Sequence, residues 1–230
     1  MRKSKPILFS PAMVQAIFDG RKNQTRRVLK STTEHEGPYN SAYIEAHIKH
    51  VGWKEICPHG KIGDLLWVRE THYRFGHWRP VPGVKTKTGK QKWCFIADTE
   101  EVRFSDDPPP IFRISRHPVD HASPAWHKRL ARFMPRSLCR LQLEIKDIRI
   151  EALQDISEAD AQNEGPPEYL SSSSALVCYS SSGSMAHKVV EIEQDEYWRD
   201  NFRQLWDSIN GSGSWSVNPW VWVLDFKVAK

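Results

Sequence analysis

The residues best suited to chemistry lie near the amino end, in the run GRKNQTRR that starts at residue 20. Its three arginines, Arg21, Arg26 and Arg27, stay protonated at any working pH and should lower the pKa of the lysine among them. That lysine, Lys22, can then act as a base toward the nearest hydroxyl, on Thr25, and an activated threonine attacks acyl carbon. The alternative is a solvated basic turn that binds phosphate, because charge runs usually mark exposed surface.

A carboxylate far downstream occupies an unusual position. Ser157 is suited to cap a helix whose first turn is acidic, and Gly165 with Pro166 should end that helix after about two turns, at Glu164. A carboxylate there faces the negative end of the helix dipole, at a cost of about 0.3 to 1 kcal/mol. The placement predicts a raised pKa and a proton donor. A frayed surface glutamate is the alternative.

Several short elements must position these residues. Ser10 and Pro11 predict the start of a helix that ends before Gly20, and apolar spacing predicts a core helix at 197–209, with Phe202, Leu205, Trp206 and Ile209 on one stripe. A break in alternation near Lys146 and Asp147 predicts a bulge. Strands are predicted at 7–9, 25–29, 65–69, 93–97, 138–150 and 220–228, of which 138–150 is the longest.

Composition narrows the class of protein. The chain has 230 residues, a net charge of +5 and ten tryptophans, which favours one domain over 1–230 and a polyanionic or nucleobase ligand. No apolar run is long enough to span a bilayer, so no membrane partner and a cytoplasmic location are expected. The four cysteines are far apart, and neither a metal nor a cofactor is expected.

Polar and serine-rich stretches separate the strands. They predict insertions at about 31–59, 76–132 and 166–195, of which the serine-rich part at 171–184 is expected to be mobile. Short strands, few helices and internal-looking first and last strands predict a mixed α+β fold that is mainly β. The predicted architecture is a small closed barrel flanked by short helices.

Several sequence blocks together resemble ASCH-domain proteins of the PUA-like superfamily. The blocks are GRKNQTRR, GDLLWVRE at 63–70, ISEADAQNEG at 156–165, and LWDSINGSGSW with NPWVWVLDFK between 205 and 227. They are similar to larger ASCH proteins of bacteriophages and prophages, and the resemblance implies a PUA-like barrel.

The same resemblance implies an activity. The short bacterial N(4)-acetylcytidine amidohydrolases of that superfamily use a lysine, a threonine three residues later and a glutamate at a helix end, which match Lys22, Thr25 and Glu164. The implied reaction is hydrolysis of the N4-acyl amide of a modified cytosine nucleoside or nucleobase. Arg27 would hold the site, and Trp67 would stack on the base.

Two other functions stay open. PUA-like barrels commonly hold RNA or a modified base, so Arg21 and Arg26 would contact phosphate on RNA or single-stranded nucleic acid without any catalysis. Some ASCH proteins cleave RNA, in which case Lys22 and Arg27 would stabilise the phosphorane. The products distinguish these functions, because amide hydrolysis yields cytidine and a carboxylate whereas a nuclease shortens RNA.

Overall fold

The computed structural model describes residues 2–29, 57–114, 123–166 and 197–229, which form a mixed α+β structure made mainly of strands. The strands described are β1 (Ser4–Leu8), β2 (Gln24–Val28), β3 (Leu65–Arg69), β4 (His72–Lys85), β5 (Gln91–Phe104), β6 (Ala125–Arg129), β7 (Gln142–Ala152) and β8 (Trp220–Val228). The helices described are α1 (Pro11–Phe18), α2 (Glu158–Asn163) and α3 (Tyr197–Asn210), with single 3-10 turns at Ala131–Phe133, Arg136–Leu138 and Leu153–Asp155.

The chain divides into two compact units. The first comprises Met1–Ser4, Ala16–Leu65 and Leu143–Ala229, and the second comprises Lys5–Gln15 and Leu66–Gln142. The predicted serine-rich stretch at 171–184, nearly all of the insertion at 166–195 and most of that at 31–59 lie outside the described residues. One domain over 1–230 therefore stays a prediction.

In the first unit, β8 lies between β7 and β2, and both of its pairings are antiparallel. This central position explains why β8 is buried on both faces from Val221 to Leu224, where its sequence is apolar at every position. The register between β7 and β8 shifts between Ile145 and Asp147, which confirms the predicted bulge. Leu143, Ile145 and Ile148 of β7 are fully buried.

Both predicted helix ends in this unit are confirmed. After α1, the Gly20 N–H donates to the Ile17 carbonyl at 3.1 Å and the Arg21 N–H to the Ala16 carbonyl at 2.9 Å. These two bonds are the Schellman pattern, which needs the left-handed φ of +74° that Gly20 adopts. At the start of α2, the Ser157 hydroxyl accepts from the Asp160 N–H at 3.1 Å.

Helix α3 follows its predicted stripe in part. Phe202, Leu205 and Trp206 are buried together with Asn201, but Ile209 is 53% exposed and does not belong to the core. Glu158 of α2 accepts hydrogen bonds from the backbone N–H groups of Trp198 and Arg199, at 2.8 and 3.1 Å. This carboxylate thus caps the amino end of α3 and fixes it against α2.

The second unit contains β1 beside β3, and a sheet in the order β5-β4-β6. Strands β4 and β5 form a hairpin of 14 residues on each side, so the prediction that 138–150 is the longest strand was wrong. The sequence predicted only 93–97 as a strand here, because Pro80, Pro82 and Gly83 are poor strand residues. The hairpin accommodates them through a register shift between Pro80 and Lys85.

Neither run of strands closes on itself. Within the described residues, each sheet ends on strands that have only one neighbour, so the described sheets are not closed into a barrel. The predicted fold class, mixed α+β and mainly β, is confirmed, and the closed barrel stays a prediction. None of the helices in the described ranges has the length and apolar character required to cross a membrane.

Candidate functional site

Lys22 is fixed by backbone contacts on both sides. Its N–H donates to the Ala16 carbonyl at 3.0 Å, so the chain turns back directly after α1. Lys22 then forms an isolated antiparallel bridge with Glu164, and the neighbouring Asn23 N–H donates to the Asn163 carbonyl at 3.0 Å. Two segments 142 residues apart therefore place their side chains together.

This close approach depends on Gly165. Its φ of +60° is left-handed, and a Cβ at this position would lie 2.7 Å from the Lys22 Cβ and 3.1 Å from the Ala16 Cβ. No larger residue fits without displacing the backbone around Lys22. The glycine that ends α2 thus also makes room for the lysine.

The Lys22 ammonium is surrounded by three oxygen acceptors. Its Nζ lies 2.7 Å from each of the Gln24 carbonyl, the Glu164 carbonyl and Glu164 Oε2. An ammonium has three donors, and these acceptors use all three. The Lys22 side chain is completely buried and that of Glu164 is 2% exposed. The two residues form a charge pair shielded from water, where electrostatic interactions are strong.

The pKa of Lys22 lies below its usual value. Burial is the largest cause, the charge of Glu164 and its hydrogen bond oppose the shift, and Arg27 and Arg26 add smaller lowering effects. The direction predicted from the sequence is therefore present, although desolvation rather than the neighbouring arginines is the main cause. Arg21 is not among the causes, because its side chain is exposed and lies 2.9 Å from Asp19.

Arg26 is buried, which corrects the expectation that it contacts phosphate from the surface. Its guanidinium is fully inaccessible and contacts three carboxylates: Glu151 at 3.0 Å, Asp160 at 3.3 Å and Glu164 at 3.3 Å. The Arg26 guanidinium also donates to the Gln24 side chain and lies 5.9 Å from the Phe202 ring centre. Arg26 thus shares the Glu164 carboxylate with Lys22.

An outer set of charges extends this cluster. Arg149 donates to Glu151, to Asp160 at 2.7 Å and to Asp225 at 2.5 Å. The Gln24 amide donates to the same two aspartates, at 3.1 Å to Asp160 and 2.6 Å to Asp225. None of these outer residues was predicted from the sequence as part of the site. A signal was present in Asp225, which interrupts the apolar strand WVWVLDFK.

Thr25 and Arg27 lie on the opposite face of β2 from Gln24 and Arg26, as strand alternation predicts. Thr25 is buried and pairs with Leu224, and it is not one of the three acceptors around the Lys22 ammonium. The pKa of Arg27 is lowered by burial, an effect that the charge of Glu164 opposes. The structure therefore joins Lys22 directly to Glu164 but gives Thr25 no hydrogen bond to Lys22.

Arg21 and Trp67 complete the set of predicted site residues. Arg21 lines an open groove of about 410 Å³ together with Gly165, Trp198 and the side chains of Gln162 and Asn163. Because Gly165 contacts Lys22, this groove borders the buried pair. Trp67 lies on β3 in the second unit, where it is 8% exposed and its ring lies 5.1 Å from the Arg69 guanidinium.

Within the described ranges, no three His, Cys, Asp or Glu side chains are grouped so that they could hold a metal ion. Comparisons of this chain with models of known protein families, with curated proteins and with solved structures found no match.

Proposed function

We propose that this chain is an amidohydrolase that cleaves the N4-acyl amide of acylated cytosine nucleosides, with Lys22, Thr25 and Glu164 as its catalytic residues. The proposal includes the finer fold that the resemblance implies, a PUA-like barrel, as well as a cytoplasmic location. Its main support is one observation: the Lys22 ammonium is buried with its Nζ 2.7 Å from Glu164 Oε2.

This pair provides both proton-transfer roles of amide hydrolysis. Burial lowers the pKa of Lys22, which favours the neutral amine that a base requires. When the Lys22 proton moves along the hydrogen bond to Glu164, the lysine becomes the base and the glutamate becomes the acid. One proton transfer thus prepares both groups.

The reaction then proceeds in two steps. Neutral Lys22 takes the proton of the Thr25 hydroxyl, and the oxygen attacks the acyl carbon while Arg27 stabilises the negative oxygen that forms. Glu164 protonates the N4 amine as the carbon–nitrogen bond breaks, and a water molecule then hydrolyses the threonine ester. The products are the cytosine nucleoside and a carboxylate. The groove beside Gly165 is the proposed entry for the nucleoside.

Product analysis with Thr25 variants tests this function. The protein is incubated with N(4)-acetylcytidine, and cytidine and acetate are measured by chromatography. Thr25→Ser keeps the hydroxyl and should retain activity, whereas Thr25→Val, of similar shape, should abolish it. Equal activity in Thr25→Val would refute the threonine nucleophile.

A labelled RNA in the same assay separates the alternatives. Unchanged RNA length together with cytidine release supports the amidohydrolase. Shortened RNA without cytidine release would instead identify a ribonuclease, and RNA binding with neither product would identify a binding module.

A further inference from the structure

The positive charge of the chain is concentrated in the second unit. Residues 66–142 contain 15 lysines and arginines and seven acidic residues, which gives a net charge of +8. The rest of the chain contains 18 lysines and arginines and 21 acidic residues. Residues 71–97 contain six basic residues and no acidic one. The net charge of +5 for the whole chain is therefore the sum of a strongly basic stretch at 66–142 and a slightly acidic remainder.

These cations are not neutralised locally. Ion pairs in the described part of this unit include Arg103 with Glu101, and Arg140 with Glu70 and Asp106. Within the described ranges, a larger set of basic residues makes no ion pair: Arg69, Arg74, Arg79, Lys85, Lys87, Lys90, Lys92, Lys128, Arg129, Arg132 and Arg136. In the first unit, by contrast, Arg26 and Arg149 contact several carboxylates each.

The β4–β5 hairpin presents many of these cations to solvent. Its outer part carries Arg79 and four lysines, Lys85, Lys87, Lys90 and Lys92, all exposed. The turn is fixed by the Thr86 N–H, which donates to the Lys90 carbonyl at 2.7 Å, and by the Gly89 N–H, which donates to the Thr86 carbonyl at 2.9 Å. The hairpin is thus a basic arm whose turn is held by two backbone hydrogen bonds.

Aromatic rings alternate with guanidinium groups at the base of this arm. Trp78 and Phe95 are cross-strand partners, and the Arg129 guanidinium lies 4.7 and 4.8 Å from their ring centres. Arg129 is also 5.9 Å from the ring of Phe133, and Arg132 lies 4.9 Å from the same ring. Phe133 is 56% exposed. The cluster therefore ends in an accessible ring between two cations.

We propose that this basic arm and its aromatic cluster bind single-stranded nucleic acid. Exposed lysines attract the negative charge of a phosphate backbone, and an exposed ring beside arginines is a surface on which an unpaired base stacks. A duplex hides the base faces inside its stack, so the cluster favours single strands. This site is distinct from the basic turn at residues 20–27, where Lys22 and Arg26 are buried and paired.

Fluorescence anisotropy with labelled 20-nucleotide probes tests the proposal on the full chain, with oligo(U), oligo(dT) and a duplex of equal length at several salt concentrations. Both single strands should bind more tightly than the duplex, and a preference for oligo(U) would show a 2′-hydroxyl contribution. Substituting Lys85, Lys87, Lys90 and Lys92 by alanine should weaken binding at least about tenfold and reduce the salt slope by up to about 3.

Phe133→Ala tests stacking separately. It should weaken single-strand binding about fivefold to a hundredfold while the salt slope stays unchanged. The matched control removes four exposed cations from the first unit, Arg2, Lys61, Lys146 and Lys227, and should leave affinity within about twofold of wild type. Equal loss in this control, equal duplex affinity, or binding to anionic vesicles without binding to any oligonucleotide would overturn the proposal.

Discussion

At the scale of single residues, the site is defined by the cations that compensate the negative charge of Glu164. The sequence suggested a carboxylate in an unfavourable position at a helix end, and the structure shows what compensates it. Lys22 and Arg26 both donate to this carboxylate, at 2.7 and 3.3 Å. The local rule is broken at Glu164 because contacts distant in sequence outweigh the helix dipole.

The first prediction concerns the stability of this pair. Lys22→Met leaves Glu164 with one buried cationic partner fewer and should lower the free energy of unfolding by about 3 to 5 kcal/mol. Adding Glu164→Leu should recover part of that loss, because the uncompensated charge is removed. Urea titrations followed by circular dichroism measure both effects.

The control for this prediction is Lys146→Met. Lys146 pairs with Glu144 at 2.8 Å but is exposed, so its substitution should leave the unfolding midpoint unchanged. A Lys22→Met variant as stable as wild type would show that the buried pair does not stabilise the fold.

The second prediction concerns the pH dependence of activity. Because Arg27 lowers the pKa of Lys22, Arg27→Gln should raise it and move the alkaline fall of kcat/KM, at which the Lys22–Glu164 pair loses the proton that it shares, to higher pH. The profile of kcat/KM against pH for cytidine release measures this shift. Arg21 is exposed, lies 2.9 Å from Asp19 and is not among the charges that shift the pKa of Lys22, so Arg21→Gln is the control. A shift to lower pH in Arg27→Gln would contradict the assigned base.

At the scale of elements, local signals predicted the helix ends and several strands. Ser10, Gly20 and Ser157 act through contacts within a few residues, and the strand over Leu65–Arg69 was predicted with its observed bounds. The prediction for β2 was displaced by one residue, since Gln24 is the first residue of the strand. Such boundaries depend on pairing with β8, which lies far away in sequence.

The inward direction of Arg26 was not predictable from charge patterning. A run of arginines normally indicates surface, but β2 pairs with β8 and lies where Glu151, Asp160 and Glu164 supply partners. Those partners come from β7, α2 and the end of α2. Only the tertiary fold brings them together, so the sequence identified Lys22 and Glu164 but missed most of the charges around them.

The third prediction concerns the end of α2. Gly165→Ala should destabilise the protein by about 2 to 4 kcal/mol, because a left-handed φ and a 2.7 Å contact with the Lys22 Cβ are both unfavourable. Gly20→Ala is the matched control, because its φ of +74° is similar but no atom lies within 4 Å of the added Cβ. Gly20→Ala should lower the free energy of unfolding by only about 1 to 2 kcal/mol. Thermal and urea unfolding measure both, and equal losses would contradict the role of Gly165.

The fourth prediction concerns His72 in the second unit. Burial lowers its pKa to about 4, with Arg129 and Arg74 adding to the effect and a hydrogen bond to the Glu70 carbonyl opposing it. The unfolded chain binds this proton near pH 6.5, so stability falls as the pH drops from 6.5 to about 4. Over this pH range the free energy of unfolding should fall by on the order of 2 kcal/mol.

His72→Asn should remove this part of the acid sensitivity. The measurement is the urea midpoint at pH 7.5, 5.5 and 4.5, of which the first lies above and the other two lie within the window set by the two pKa values. Identical pH dependence in wild type and variant would exclude His72 as its source.

At the scale of the whole molecule, the two compact units differ in how their cationic side chains are paired. The first unit neutralises its buried cations with carboxylates, which produces the proposed catalytic pair. The second unit has exposed lysines on the β4–β5 hairpin and aromatic rings beside Arg129 and Arg132, which together form the proposed nucleic-acid surface. The net charge of +5 predicts a polyanionic or nucleobase ligand, and the run of charges at residues 20–27 suggested phosphate contacts there. In the structure Arg26 of that run is buried, whereas the exposed cations of the second unit carry the present proposal.

The most direct test of the central claim is the rate of cytidine release from N(4)-acetylcytidine by wild type, Lys22→Arg and Glu164→Gln. Lys22→Arg keeps a buried cation that cannot act as a base, and Glu164→Gln keeps the shape of the side chain but cannot donate the proton. We predict equal amounts of cytidine and acetate from wild type, and rates about a hundredfold or more lower in each folded variant. Absence of cytidine release by wild type, or full activity in both variants, would contradict the account.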